Sequence, residues 1–177
     1  LSAEGVNSAI EHFGYSRTYR EDYYNPDHFK FASESSPNTL EQYDNAFDVK
    51  KIDMSSCYPI SETYFEYNEE DGLFYRYQYG DPHVDAAFDN TQLAFKNVLV
   101  QFAYYEVRDD NGYLAFQVHD DTKDGYYFTN GKGIHVTWEK TADYEPTRFY
   151  DDNGNEIELN TGKTMICIVE DGDEFGY

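Results

Sequence analysis

The side chains best placed for chemistry are Arg76, His83 and Asp85, within the run YRYQYGDPHVD at 75–85. Arg76 offers a planar donor fork suited to a carboxylate. In an extended strand, His83 and Asp85 project on one face, so the carboxylate can orient the imidazole. That pair is also half of a metal site, but no second His or Cys cluster accompanies it, and no metal is expected. The plain alternative is an Arg76–Asp85 pair that pins a sheet end. Trp138 and Lys140 are a second pair on one strand face, suited to a ring packed under a lysine stem or to a ligand held between them. Asn97, just before the run VLV, suits a bond to a neighbouring loop backbone. Arg76, His83, Asp85, Asn97, Trp138 and Lys140 form the candidate binding set; none is given a catalytic role, and no cofactor is implied.

Other motifs read as architecture. Asp151, Asn153 and Asn155 match the first, third and fifth positions of a calcium loop. Glu156 then occupies the position that requires glycine, and Gly162 the position that requires glutamate, so a plain Asx-Gly turn is expected. There is no G-x-S-x-G elbow. Cys57 has no basic neighbour to activate it, and Cys57 and Cys167 are expected to be apart and reduced.

Composition narrows the function classes. Thirteen basic against 35 acidic residues give a formal charge of −22, a field that repels nucleic-acid phosphates and anionic lipid surfaces, so neither is expected as a partner. No apolar run is long enough to cross a membrane, and direct insertion is not expected. The 19 Tyr and 13 Phe supply the amphipathic rings that β-sheets favour.

The elements that must position these residues are mostly strands. Ser2 and Gly14 bracket a helix at Ala3–Phe13 with Val6, Ile10 and Phe13 at helical spacing. Tyr15–Pro26 has no clear period and reads as a connection. The run Val98–Tyr105 is apolar on both faces and reads as a central strand, with Arg108–Gly112 turning it into an antiparallel return at Tyr113–Val118. Further hairpins are expected at Thr63–Tyr67 with Leu73–Tyr79, at Tyr126–Thr129 with Ile134–Trp138, and at Thr147–Tyr150 with Glu156–Leu159. Lys123–Gly125 reads as a turn, Ala46–Met54 as a strand of uncertain register, and Thr164–Val169 as an inner strand. The expected fold is sheet-dominated α+β, mostly antiparallel strands and hairpins with one N-terminal helix.

Four separated blocks, LFYRYQYGDPHVD (73–85), KNVLVQ (96–101), GKGIHVTWEK (131–140) and PTRFYDDNGNEIELNTGKT (146–164), resemble the C-terminal domain of the YerB-like lipoproteins, a bacterial family of unknown function. The resemblance runs from about Phe29 to Val169. It implies a sheet domain at 29–177 and a helix and connector at 1–28 that form the tail of a preceding domain. It also implies an extracytoplasmic location in the cell envelope, with a membrane anchor through a lipidated cysteine upstream. The expected role is binding or scaffolding, with the protein's own N-terminal domain and an envelope protein or cell-wall ligand as partners. The alternative is an envelope hydrolase with Arg76, His83, Asp85 and Lys140 gathered in one cleft. Carbohydrate binding by a row of exposed tyrosines is a third reading.

Overall fold

The computed structural model describes residues 2–23, 28–119 and 121–177. Helix α1 (Ala3–Phe13) is capped as its sequence dictates: the Ser2 hydroxyl accepts from Gly5 N–H, and Gly14 closes the other end in the left-handed conformation. None of its residues is buried. Of the 15–26 connection, Glu21–Tyr23 forms a 3-10 turn, and 24–26 lie outside the described residues.

The strands follow in chain order: β1 (Phe47–Asp48), β2 (Lys51–Asp53), β3 (Tyr64–Asn68) and β4 (Leu73–Gln78). Four two-residue strands come next, β5 (Asp81–Pro82), β6 (Val84–Asp85), β7 (Thr91–Gln92) and β8 (Ala94–Phe95). The remainder are β9 (Asn97–Ala103), β10 (Tyr105–Val107), β11 (Leu114–Phe116), β12 (Asp121–Thr129), β13 (Lys132–Lys140), β14 (Arg148–Tyr150) and β15 (Thr164–Glu170). The large sheet runs β1-β13-β12-β9-β15, with β14 also on β13. The smaller sheet runs β2-β3-β4-β5, with β8 also on β4. The architecture is sheet-dominated α+β, and the β9–β15 ladder is parallel.

The two faces of β9 explain the layering. Val98 and Val100 point into a cluster with Ile52, Met54, Phe65 and Phe74 of the smaller sheet and its flank. Leu99 and Ala103 point the other way, into a cluster with Tyr127, Val136, Trp138 and Phe149, which Leu40, Ile157 and Leu159 cover. Apolar residues on both faces are what a strand covered on both sides requires.

Several strand expectations need correction. The return at 114–116 pairs with 105–107 in a separate ribbon, because both edges of the buried run are already taken by β12 and β15. Lys123–Gly125 is not a turn: it continues β12, where Lys123 pairs with Trp138 and its ammonium meets Asp171 at 2.9 Å. Thr164–Glu170 lies at the edge of the large sheet. Residues 156–159 make only isolated bridges, at Tyr150–Glu156 and Phe31–Leu159. The 46–54 segment divides, with β1 in the large sheet and β2 in the smaller one. Cys57 and Cys167 are free thiols.

A buried polar network joins the segments that cap the large sheet. The Tyr127 hydroxyl donates to Asn97 Oδ1 at 2.9 Å and accepts Asn160 N–H at 2.8 Å. Asn160 Nδ2 donates to Asn38 O and Thr129 Oγ1, and its Oδ1 accepts Asn38 N–H at 2.7 Å. Asn97 Nδ2 donates to Asn160 O at 2.7 Å. Burial pushes the Tyr127 hydroxyl up to about 12, so it stays protonated and can donate throughout the physiological range.

Tyr127→Phe removes one donor and one acceptor from a site without water access, and is expected to lower the unfolding free energy by about 1–3 kcal/mol in urea denaturation. A change below about 0.5 kcal/mol would show that the network is not a structural tie. Because α1 buries nothing, trypsin is expected to cut after Arg17 or Arg20 and leave a resistant fragment containing all the strands. Mass spectrometry of a brief digest checks this, and an uncut N-terminal segment would refute it.

Candidate functional site

The residues singled out from sequence occupy several places. Arg76, on β4, donates from Nη1 to His83 Nδ1 at 2.7 Å. Its Nε is buried without a hydrogen-bond partner among the described residues. Burial first, and the Arg76 charge second, lower the His83 pKa below its usual value, against a smaller opposing effect from Asp85. His83 is therefore the neutral acceptor tautomer. Asp85 makes no ion pair with Arg76 among the described residues. Instead it accepts Ala87 N–H at 2.9 Å and tightens the turn that follows β6.

The other three lie elsewhere. Trp138 is fully buried on β13, and its indole N–H donates to Phe102 O at 2.9 Å. Lys140 donates to Glu145 O. Asn97 belongs to the buried network and does bond the backbone of a neighbouring loop. The structure thus brings Arg76 and His83 together, leaves Asp85 nearby on the same excursion, and separates Asn97, Trp138 and Lys140 from them. The Asp151 loop is a plain Asx turn. Desolvation raises the Asp151 pKa, but hydrogen bonds from Asn155 and Asn153 outweigh it and hold the carboxyl below its usual range. Among the described residues, no group of three or more His, Cys, Asp or Glu could hold a metal.

The backbone around Arg76 has a clearer purpose. Arg76 N–H donates to Leu93 O, while Arg76 O accepts His83 N–H and the Gln92 side-chain amide. Leu93 N–H donates to His83 O. These bonds clamp the 79–96 excursion onto β4. Its returning arm forms one wall of a cleft of about 510 Å³. Leu73, Tyr75, Gln92, Lys96, Gly162 and Lys163 are among the residues that line it.

The opposite wall is a tight loop at 160–163. Lys163 O accepts N–H from both Lys96 and Asn97, at 2.9 and 3.2 Å. Gly162 adopts a φ of +118°, and a Cβ there would lie 3.0 Å from the Lys96 side chain. Only glycine lets the loop sit this close. Lys96 also donates to Asn130 Oδ1, but among the described residues neither Lys96 nor Lys163 has a carboxylate partner. Five other lysines, Lys30, Lys50, Lys51, Lys123 and Lys132, each pair with an acid.

Sequence reasoning missed Tyr75, Lys96 and Lys163 as site residues. A signal was present: residues 90–105 and 159–169 carry no acidic residue, so neither lysine has an acidic neighbour in sequence. Three of the four blocks behind the family resemblance also meet at this cleft, through Leu73 and Tyr75, through Lys96, and through Gly162 and Lys163.

This sheet-dominated domain has relatives. The model of the family described as "Protein of unknown function (DUF3048) C-terminal domain" matches residues 52–166, and the chain belongs to that family. Its fold is also that of the YerB protein from Bacillus subtilis, whose crystal structure aligns with a TM-score of 0.71 at 18% identity. The alignment covers 100% of this chain and 55% of the YerB chain, so the chain spans about half of that protein's length. No curated protein matches the chain.

The lowered His83 pKa has a measurable consequence. Below about pH 6.5 the unfolded histidine takes up a proton that the folded one resists, so stability present above that pH is lost as the pH falls through the folded-state value. NMR titration of the His83 ring is expected to give a pKa below 6.5, and His83→Asn to flatten this part of the stability profile. A His83 pKa at or above 6.5 would refute the donation from Arg76.

Proposed function

We propose that this chain is an extracytoplasmic binding domain of a bacterial envelope lipoprotein, anchored through a lipidated cysteine in an upstream segment, and that it holds an anionic ligand between Lys96 and Lys163. The observation that carries the reading is a pair of lysines in one cleft that lack a carboxylate partner among the described residues. Of the eight lysines, five pair with an acid and Lys140 bonds a backbone carbonyl, which leaves Lys96 and Lys163 as the two that share a cleft without a carboxylate among the described residues. Together they supply donors for a carboxylate or phosphate. Leu73 and Tyr75 add an apolar wall, the usual complement to a few convergent polar groups in a ligand site. The hydrolase reading has no comparable support, because Lys140 does not join Arg76 and His83.

The envelope location rests on the family resemblance. A scaffolding contact with the protein's own N-terminal domain is supported by α1, where Val6 is 41% and Phe13 63% exposed.

Titration of the ¹⁵N-labelled chain with glucuronic acid or glucose 6-phosphate, against glucose as the neutral control, tests the cleft. Shifts are expected at Leu73, Gln92 and Gly162 with an anion and not with glucose. The double variant Lys96→Met, Lys163→Met is expected to abolish them, since each charge-assisted bond contributes about 1.5–3 kcal/mol. Equal responses to charged and neutral compounds, or shifts on another face, would overturn the proposal.

A further inference from the structure

Tyr75 lines two clefts at once. Beside the lysine cleft lies a second, of about 470 Å³, bordered by Lys50, Glu66, Asn68, Tyr75 and Tyr77 on the outer face of the smaller sheet. The Tyr75 hydroxyl donates to Asp71 Oδ2 at 2.5 Å, which fixes the ring between the two clefts.

The tyrosines of this face are not equivalent. Tyr64 and Tyr77 stack on each other with centroids 4.6 Å apart and planes 4° from parallel. The Lys51 ammonium lies 4.4 Å from the Tyr64 centroid. Tyr64 thus has partners that occupy its ring and offers no free platform. Among the described residues, no ring or cation stacks on Tyr75.

The two clefts also differ in charge. The lysine cleft is lined by Lys96 and Lys163, neither of which has a carboxylate partner among the described residues. In the second, Lys50 pairs with Glu69 at 3.7 Å, and Glu66 leaves the lining acidic, with carboxylate oxygens that can accept from sugar hydroxyls. The two clefts share Tyr75, with Lys96 and Lys163 lining one and Lys50, Glu66, Asn68 and Glu69 lining the other. We infer that the ligand is an acidic glycan in which sugar rings pack across Tyr75 and one carboxylate or phosphate substituent sits between Lys96 and Lys163. The inference rests on reading the lysine cleft as an anion site. The charge of −22 adds a constraint: every anion beyond the one that the lysines neutralise meets the repulsion of the whole molecule. The glycan is therefore sparsely charged, with neutral sugars flanking the acidic one.

The test is calorimetry and NMR titration of the chain with four probes: glucuronic acid, glucose 6-phosphate, an aldotetraouronic acid (one glucuronate on three xylose units) and tetragalacturonic acid. Neutral xylotetraose is the control. Joining neutral rings to the anion makes the second contact intramolecular, so the aldotetraouronic acid is expected to bind at least about tenfold tighter than glucuronic acid. Tetragalacturonic acid is expected to bind more weakly than the aldotetraouronic acid. Tyr75→Ala is expected to remove the gain with length, so that the aldotetraouronic acid binds no tighter than glucuronic acid to this variant, and Tyr75→Phe to keep the gain. Tyr75→Leu replaces the alanine variant if thermal unfolding shows that alanine disrupts the sheet.

The outcomes separate the two claims. Binding of an acidic monosaccharide with no gain for the tetrasaccharide sinks the glycan inference and leaves the anion site standing. No binding of either acid sinks both. Xylotetraose binding as tightly as its acidic counterpart, or tetragalacturonic acid binding best, overturns the sparsely charged glycan. The monosaccharide acids decide between carboxylate and phosphate.

Discussion

The hydrogen bonds among Asn38, Asn97, Tyr127, Thr129 and Asn160 are the constraint on which the rest of this domain depends. Buried amides cost several kcal/mol when unpaired, so such a cluster holds only if its partners arrive in one arrangement. Here that arrangement ties the 38–40 segment and the 160–163 loop to β9 and β12. The consequence reaches the cleft. Asn160 begins the loop that carries Gly162 and Lys163, and the Lys163 carbonyl holds the backbone of Lys96 and Asn97. Both lysines are thus placed by main-chain bonds anchored in the core, which suits a site that must be formed before its ligand arrives.

Electrostatics work on two scales. The net charge of −22 sets a field that slows the approach of any anion, and salt screens that field within about 10 Å at 0.1 M. Specificity for an anion must then come from short-range contacts in a place the acidic surface does not neutralise. Two lysines between acid-free strands meet that requirement.

Much of the architecture was legible in the sequence because it rests on local signals. The α1 caps are one residue each, and the Asn130-Gly131 turn sets the β12–β13 hairpin, with both residues at positive φ. The apolar run from Val98 revealed a central strand, since few other environments tolerate apolar residues on both faces. Pairing was harder to read. Nothing local in Tyr105-Glu106-Val107 announces that the chain leaves the large sheet, and the edge position of β15 depends on β9 lying far away in sequence. The site was partly legible for the same reason. Arg76 and His83 stand out in one short motif and do meet, while Lys96 and Lys163 become neighbours only through the parallel ladder and the loop before it.

That ladder also governs how the chain reaches its native state. Residues 104–163 separate the two strands, and they include the ribbon, the β12–β13 hairpin and β14. Loop closure over such a distance is slow relative to forming hairpins. During synthesis, one apolar edge of the central strand stays open until the last strand emerges, and an open edge of this kind invites pairing with another chain. The step that completes the sheet is also the one that seats the lysine loop, so a molecule caught before this docking would have neither its closed edge nor its site.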